Sequence, residues 1–391
     1  MTVRVLVIGA GVIGAACALR LSQAGAEVLL VDRSGVAAET SSRCEGNVLV
    51  SDKSADASLR AEAELAIASN AMWRELAAQL DAERGDGPAT EFEAKGGIVV
   101  AFPGNAEALE RFADGQRSIG IRAHAVDRAA LADLEPDLAP EVALGVHYPD
   151  DAQVQPSLAT QSMAAAALRR GARLVRAEVT GARLQGERIV GVETTAGPID
   201  ADAVVVCAGP WSGEVSARLG GAIDIRPRRG TILVTTPMRQ RIRHKVYDAD
   251  YVGAVGSGAA ELQTSTVVES TPAGTVLIGS SRERVGFDET GTLPALAEIA
   301  AKATRLFPFL ADVQLLRTYS GFRPYAPDHL PVIGPDLRVA GLFHAAGHEG
   351  AGIGLAPATA ALIAHHVLGA AAPLDAAPFL PSRPSLMGAA A

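Results

Sequence analysis

Cysteine is scarce in this chain, with only Cys17, Cys44 and Cys207 among 391 residues, and they lie too far apart for any metal-ligand or disulfide spacing. That excludes a disulfide-stapled secreted scaffold and suits a reducing compartment. Excess positive charge is also missing. Thirty-five Lys and Arg against 44 Asp and Glu leave a net charge of −9, so the clustered cations that a nucleic-acid backbone requires are not expected. No uninterrupted apolar run approaches the roughly 20 residues of a bilayer-crossing helix. No basic leader precedes the first apolar stretch, and the expectation is a cytoplasmic protein with no transmembrane segment. Repeats are absent too. What remains is 48% hydrophobic and 20% charged residues, the balance of a globular enzyme with a large core. The length favours two domains over one.

Residues 3 to 32 carry the densest information. An apolar run (Val3, Val5, Leu6, Val7, Ile8) ends in GAGVIG, residues 9 to 14. A helical stretch with Ala15, Ala18, Leu19 and Leu21 on one side follows, and after Gly25 the chain returns through Val28, Leu29, Leu30 and Val31 to Asp32. Each glycine has a separate reason: Gly9 for the tight turn, Gly11 for approach of the backbone to a pyrophosphate, Gly14 for close packing of helix on strand. The helix N-terminus, at Val12 and Ile13, offers unpaired N–H groups to that phosphate. Asp32 ends the second strand, where a carboxylate accepts hydrogen bonds from both hydroxyls of an adenosine ribose. The glycine motif alone is weak; strand, helix, second strand and terminal acid together are a dinucleotide-binding unit.

Further along, residues 56 to 84 read as a helix and 96 to 102 as a buried strand. Helices are expected over 105–117, 128–134, 155–170 and 294–306. The segment 202–209 is an apolar strand ending in Gly209. Residues 223 to 285 are strand-like, with turns expected at Arg229-Gly230 and at 272–274. A last strand over 341–347 leads into a glycine-opened helix over 350–368, and the Ala/Pro-rich tail after Gly369 is expected to be poorly ordered.

Three glycine-rich strand ends (Gly9–Gly14, Ala208-Gly209, Gly347–Gly354) suit one long cofactor lying across several strands. In this respect the chain resembles the D-amino acid oxidase and glycine/sarcosine oxidase group of FAD-dependent amine oxidoreductases, over about residues 3 to 369. The elements that carry the resemblance are GAGVIG with Asp32, the Thr40-Ser41-Ser42 loop with Gly46, Ala208-Gly209-Pro210-Trp211-Ser212, and the closing GFRPYAPDHLPVIG and GHEGAGIGLAP blocks at 321–334 and 347–357. The resemblance implies an α/β, two-domain flavoprotein. A Rossmann-like FAD-binding domain of the glutathione reductase type would be formed by 1–50, 145–220 and 318–369. A substrate domain with a mixed antiparallel sheet and helices would be formed by 51–144 and 221–317, with 370–391 a flexible tail.

It also implies roles. Asp32 and Arg33 would serve the adenosine, and Ser41, Ser42 and Arg43 the pyrophosphate or ribityl chain, on a loop with Gly46 and Asn47. Val179 would reach the adenine, and Ala208, Gly209 and Trp211 would pass close to the cofactor. Gly321, Gly350, Gly352, Ile353, Gly354 and Leu355 would lie at the flavin, where N–H groups and the helix dipole favour negative charge on the reduced ring. Arg323 matches the position that holds the substrate carboxylate, a role that suits its planar fork. His348 either hydrogen-bonds the flavin or the substrate amine, or is satisfied by its neighbours. Glu349 steers a cationic amine or caps the last helix, and Tyr325 stands on the same loops. Tyr251 or Tyr247 either touches substrate or belongs to the core. The resemblance implies noncovalent FAD, with no cysteine in Gly321-Phe322-Arg323 and no attachment at Cys44. The expected activity is oxidation of a small amino or imino acid by hydride transfer from the α-carbon. A partner subunit or a quinone is the expected acceptor if oxygen is not. Two alternatives stay open: a flavoprotein subunit with no turnover alone, and an NAD-dependent dehydrogenase.

Overall fold

The structure is a computed structural model that describes residues 2–85, 87–249 and 261–387. Tyr251 lies outside the described residues.

Strand β1 (Arg4–Ile8) is buried at four of its five positions, as a parallel strand covered on both faces must be. Helix α1 (Val12–Gln23) and strand β2 (Glu27–Asp32) complete the unit read from the sequence, β2 running parallel to β1 with Val7 opposite Leu30. Distant segments then extend the sheet. Arg173–Arg176 adds beside β2, Ala203–Val206 beside β1, Leu342–Ala346 beside that, and Val332–Pro335 closes the edge antiparallel. Val5 and Val7 face a helical layer of α1, Pro156–Arg169 and Gly352–Leu368. Leu6 and Ile8 face the small antiparallel sheet that contains Val179–Gln185 and Arg188–Thr194.

A second, eight-stranded sheet runs in the order Leu315–Tyr325, Arg226–Thr235, Val276–Arg282, Gln263–Ser270, Lys245–Asp248, Gly97–Ala101, Leu144–Tyr148, His124–Val126. All its pairings are antiparallel except that of Lys245–Asp248 with Gly97–Ala101. The expected domain boundaries at 145 and 318 fall inside two strands of this sheet.

Three expectations change. Arg229-Gly230 is not a turn: it sits within a ten-residue strand, with Gly230 opposite Gly321. The glycine is needed there for space, as the site shows below. The described part of the tail, 370–387, is packed rather than loose. Phe379 is fully buried, and Arg383 ties the segment to Asp328 at 2.6 Å and donates to the carbonyls of Leu330 and Pro331 at 2.7 and 2.8 Å. Finally, the stretch Glu349–Leu368 is long and apolar enough to cross a membrane by composition, with mean hydropathy 1.4, but 67% of it is buried inside the protein. It is the central core helix, packed on α1 and on Arg60–Arg84.

Candidate active site

The three glycine corners line one cavity of about 1660 Å³, its mouth included. At the nucleotide end the glycines act as the sequence implies. Gly9 has φ +106°, and a Cβ there would lie 2.4 Å from the Cys207 carbonyl; a Cβ on Gly14 would lie 1.8 Å from the Gly9 carbonyl. Gly14 is therefore a packing glycine and does not line the cavity. Gly11 is different: a Cβ there would meet only the Ser41 hydroxyl, at 3.1 Å, so its backbone faces open space where a phosphate fits. The Val12 N–H donates to Ser41 Oγ at 2.9 Å, which fixes the loop 40–42 against the helix start. Ser42 turns away and donates to the Glu39 carbonyl.

Asp32 lines the cavity at the end of β2. Its carboxylate accepts from the N–H groups of Ala10, Ser34 and Gly35, each at 2.7 Å. The orientation of the acid is thus set by backbone before any ligand arrives. Arg33 lies 4.4 Å over the Trp211 ring. Trp211 stacks on Phe287 at 5.0 Å. Val179, Ala208 and Gly209 line the same end, and nothing lies within 4 Å of where a Gly209 Cβ would be.

At the other end, close approach explains two glycines. A Cβ on Gly46 would lie 1.9 Å from the Val154 carbonyl, and one on Gly321 would lie 2.9 Å from Arg43 Cβ. Gly46, Asn47, Arg43 and Gly321 all line the cavity. Arg323 does too, and its guanidinium takes the space beside Gly230, where a Cβ would lie 2.1 Å from Nη1. Nη1 donates to the Ser281 carbonyl at 2.8 Å, which fixes the fork on the sheet face. Gly350, Gly352 and Ile353 line the cavity at the start of the long helix, whose positive dipole end is turned toward it. Gly354 and Leu355 do not line it. A Cβ on Gly354 would lie 3.2 Å from the Asn47 carbonyl, and Leu355 is core; the carbonyls of Ile353 and Gly354 accept from Trp73 Nε1 (2.8 Å) and Ser69 Oγ (2.6 Å). These contacts anchor the helix rather than touch a ligand.

His348 and Glu349 form a wall between this cavity and a second, more polar one of about 1280 Å³ that also reaches Lys53, Glu62, Arg282 and His329. Burial pushes the His348 imidazole down to about 3, so it is neutral, and Nε2 meets Thr359 Oγ1 at 3.0 Å. Glu349, in a left-handed conformation at φ +44°, is half-buried. Burial alone would raise its pKa; His329, Arg228 and Arg282 outweigh that and hold it at about 2. Arg228 Nη1 donates to Glu349 Oε1 at 2.5 Å. Glu349 is thus the anion of an internal ion pair, with no side-chain hydrogen bond capping a helix. Tyr325 lies under the Arg228 guanidinium at 5.6 Å. Tyr247 is a buried residue of the eight-stranded sheet. Cys44 is half-buried, and desolvation pushes its thiol up to about 12; a protonated thiol is a poor nucleophile.

Sequence reasoning missed Arg228, Gly230 and Glu45. The strand period held the clue to the first two: Arg228 and Gly230 alternate on one face of their strand and pair with Arg323 and Gly321.

Comparison with known proteins agrees with the geometry. A family model described as FAD dependent oxidoreductase matches residues 4–366. Glycine oxidase of Pseudomonas aeruginosa is 32% identical over 385 residues, covering 98% of this chain and 99% of that protein. Hydrogen cyanide synthase subunit HcnC of the same species is 30% identical over 419 residues, covering 98% and 96%. The crystal structure of glycine oxidase from Geobacillus kaustophilus superposes with a TM-score of 0.87 at 27% identity, covering 98% and 99%.

Proposed function

The chain belongs to the family of FAD-dependent oxidoreductases, and from that premise we propose that it oxidises a small amino or imino acid at its C–N bond, with Arg323 holding the carboxylate. The observation that carries this reading is the single cavity that joins Gly11 and Asp32 at one end to Arg323 at the other. Membership in the family, and the part of that cavity formed by the final helix, set aside an NAD-dependent dehydrogenase that uses only the opening unit.

The residues present fit FAD. Gly11 and the Val12 end of α1 would take the pyrophosphate, Asp32 the adenosine ribose, and the N-terminus of Gly352–Leu368 the pyrimidine edge of the flavin. Bound FAD supplies the hydride acceptor. Arg323 makes a bidentate, charge-assisted clamp that fixes the α-carbon. Positioning of this kind is worth up to about 7–11 kcal/mol of barrier. His348, neutral at every physiological pH, gives a hydrogen-bonding group without charge. The start of the long helix stabilises negative charge where the cofactor accumulates it. The half-buried, protonated Cys44 supports noncovalent binding.

The test is an absorbance spectrum of the native protein followed by anaerobic titration with glycine, sarcosine, proline, hydroxyproline and D-amino acids. The expected result is two visible flavin bands that bleach with at least one of them. A colourless protein that takes up no added FAD would overturn the reading. The likeness to HcnC, which is named as a subunit, supports a second reading in which electrons pass to a partner chain or a quinone. A flavin that no amine bleaches until a partner is added would favour it.

A further inference from the structure

We propose that Glu45 is a further catalytic residue of this site: its carboxylate accepts a hydrogen bond from the substrate's amino nitrogen and stabilises the positive charge that develops there. This rests on the amine-oxidising reading above. The reaction removes a hydride, with its bonding pair, from the α-carbon of a neutral amine. The nitrogen lone pair forms the C=N bond, and the nitrogen passes from neutral to cationic. The hydride passes to bound FAD, which is reduced by two electrons, and no other bond of the substrate forms or breaks. A fixed anion near that nitrogen therefore interacts more strongly with the transition state than with the ground state.

Of the other acids at the cavity, Glu214 is exposed and Glu39 lies 3.9 Å from Arg43. Asp32 stands at the nucleotide end under three N–H groups, Glu178 pairs with Arg218 at 2.8 Å, and Glu349 pairs with Arg228. Glu45 also lines the cavity and is 7% exposed. Its Oε2 accepts from Asn47 Nδ2 at 3.2 Å, but Oε1 is buried with no hydrogen-bond partner among the described residues. An orphaned carboxylate oxygen costs several kcal/mol unless a donor arrives.

One strand of the sheet seats it near the clamp. Glu45 Oε1 occupies the space beside Gly279, where a Cβ would lie 1.8 Å away, as Arg323 does beside Gly230. Arg323 Nη1 in turn donates to the carbonyl of Ser281, two positions beyond Gly279 on Val276–Arg282, so the carboxylate and the guanidinium are seated close together along one strand and line the same cavity. The groups facing Glu45 are Cys44 and Asn47 on its own segment, the buried Lys245–Glu269 ion pair from two strands of the sheet, and Tyr319, whose hydroxyl donates to the Cys44 carbonyl at 3.3 Å.

The experiment uses the FAD-loaded enzyme and the amino or imino acid that bleaches it fastest. Anaerobic stopped-flow reduction is compared in wild type, Glu45→Gln and Glu45→Asp, alongside binding of propionate, a carboxylate without nitrogen. The expected result is a limiting reduction rate about 100-fold lower in Glu45→Gln, partly restored in Glu45→Asp, with propionate affinity and FAD retention unchanged. An unchanged reduction rate overturns the assignment. So does loss of FAD affinity with normal reduction of the protein that stays loaded, which would place Glu45 against the cofactor. Gly279→Ala, which displaces Oε1, gives the same answer if the Gln variant does not fold. A wild type that no amino or imino acid bleaches removes the functional reading itself, and is told apart because the defect precedes any substitution.

Discussion

Gly230→Ala tests the clamp without touching the clamping residue. A Cβ at this position would lie 2.1 Å from Arg323 Nη1, where real Cβ atoms essentially never come under 3.0 Å. The guanidinium must therefore shift by about 0.9 Å, and a misplacement of about 1 Å in a positioning group costs on the order of 100-fold in rate, or about 2.7 kcal/mol. The backbone has no objection, since Gly230 does not sit in the left-handed region and alanine is tolerated in a strand. The expected outcome is a fall in kcat/KM of about 100-fold for carboxylated amines, with FAD content unchanged. Arg323→Ala should cost at least as much. The double variant should be no worse than Arg323→Ala alone, because both changes act on one contact. Steady-state kinetics with matched flavin content decide it. Full activity in Gly230→Ala, or additive losses in the double variant, would refute the argument that this glycine exists to seat the guanidinium.

Asp32→Ala removes both the ribose acceptor and the anchor of three N–H groups, so it should weaken FAD binding by at least tenfold in a fluorescence titration; unchanged affinity would remove the acid from the cofactor site. The folded pKa values of His348 and Glu349, about 3 and about 2, lie below their ordinary values of 6.5 and 4.5. The unfolded chain thus binds more protons at acid pH, and stability is lost as pH falls from about 6.5 for His348 and from about 4.5 for Glu349. Urea unfolding at pH 7.5, 5.5 and 4 should show this decline, and His348→Asn should flatten its first part. Arg383→Ala should destabilise by about 3–5 kcal/mol, because it strands the Asp328 carboxylate and two carbonyls; a melting temperature equal to wild type would return the tail to a loose appendage.

The opening unit was readable because much of what gives its glycines meaning is local: Gly14 packs on Gly9, and Asp32 reaches back to Ala10, whereas the Cys207 carbonyl that crowds Gly9 comes from a distant strand end. Arg323 was singled out as the proposed clamp only through its motif, and the structure brings it to the cavity. Its seat was not readable, because Gly230 stands 93 positions earlier and only sheet register brings the two together; taken locally, Arg-Gly looks like a turn. Glu45 was silent for the same reason, since its neighbours Gly279, Lys245 and Glu269 come from three strands far down the chain. Gly354 and Leu355 stand beside residues that do line the cavity, and helical rotation turns them toward Asn47 and the core instead. The tail's Ala and Pro content gave no hint that Arg383 would find Asp328, a partner in a loop 55 residues earlier.

The sheet that carries the dinucleotide unit takes its third corner from Leu342–Ala346 and Gly352, near the far end of the chain. A ribosome therefore delivers the phosphate loop first and the flavin seat last. Until residue 206 has been made, β1 has no neighbour on the side that Ala203–Val206 will occupy, and its apolar edge has to be shielded by something other than the finished enzyme. Loading with cofactor consequently waits until Gly11 and Gly352, which line one cavity, have both been made and brought together.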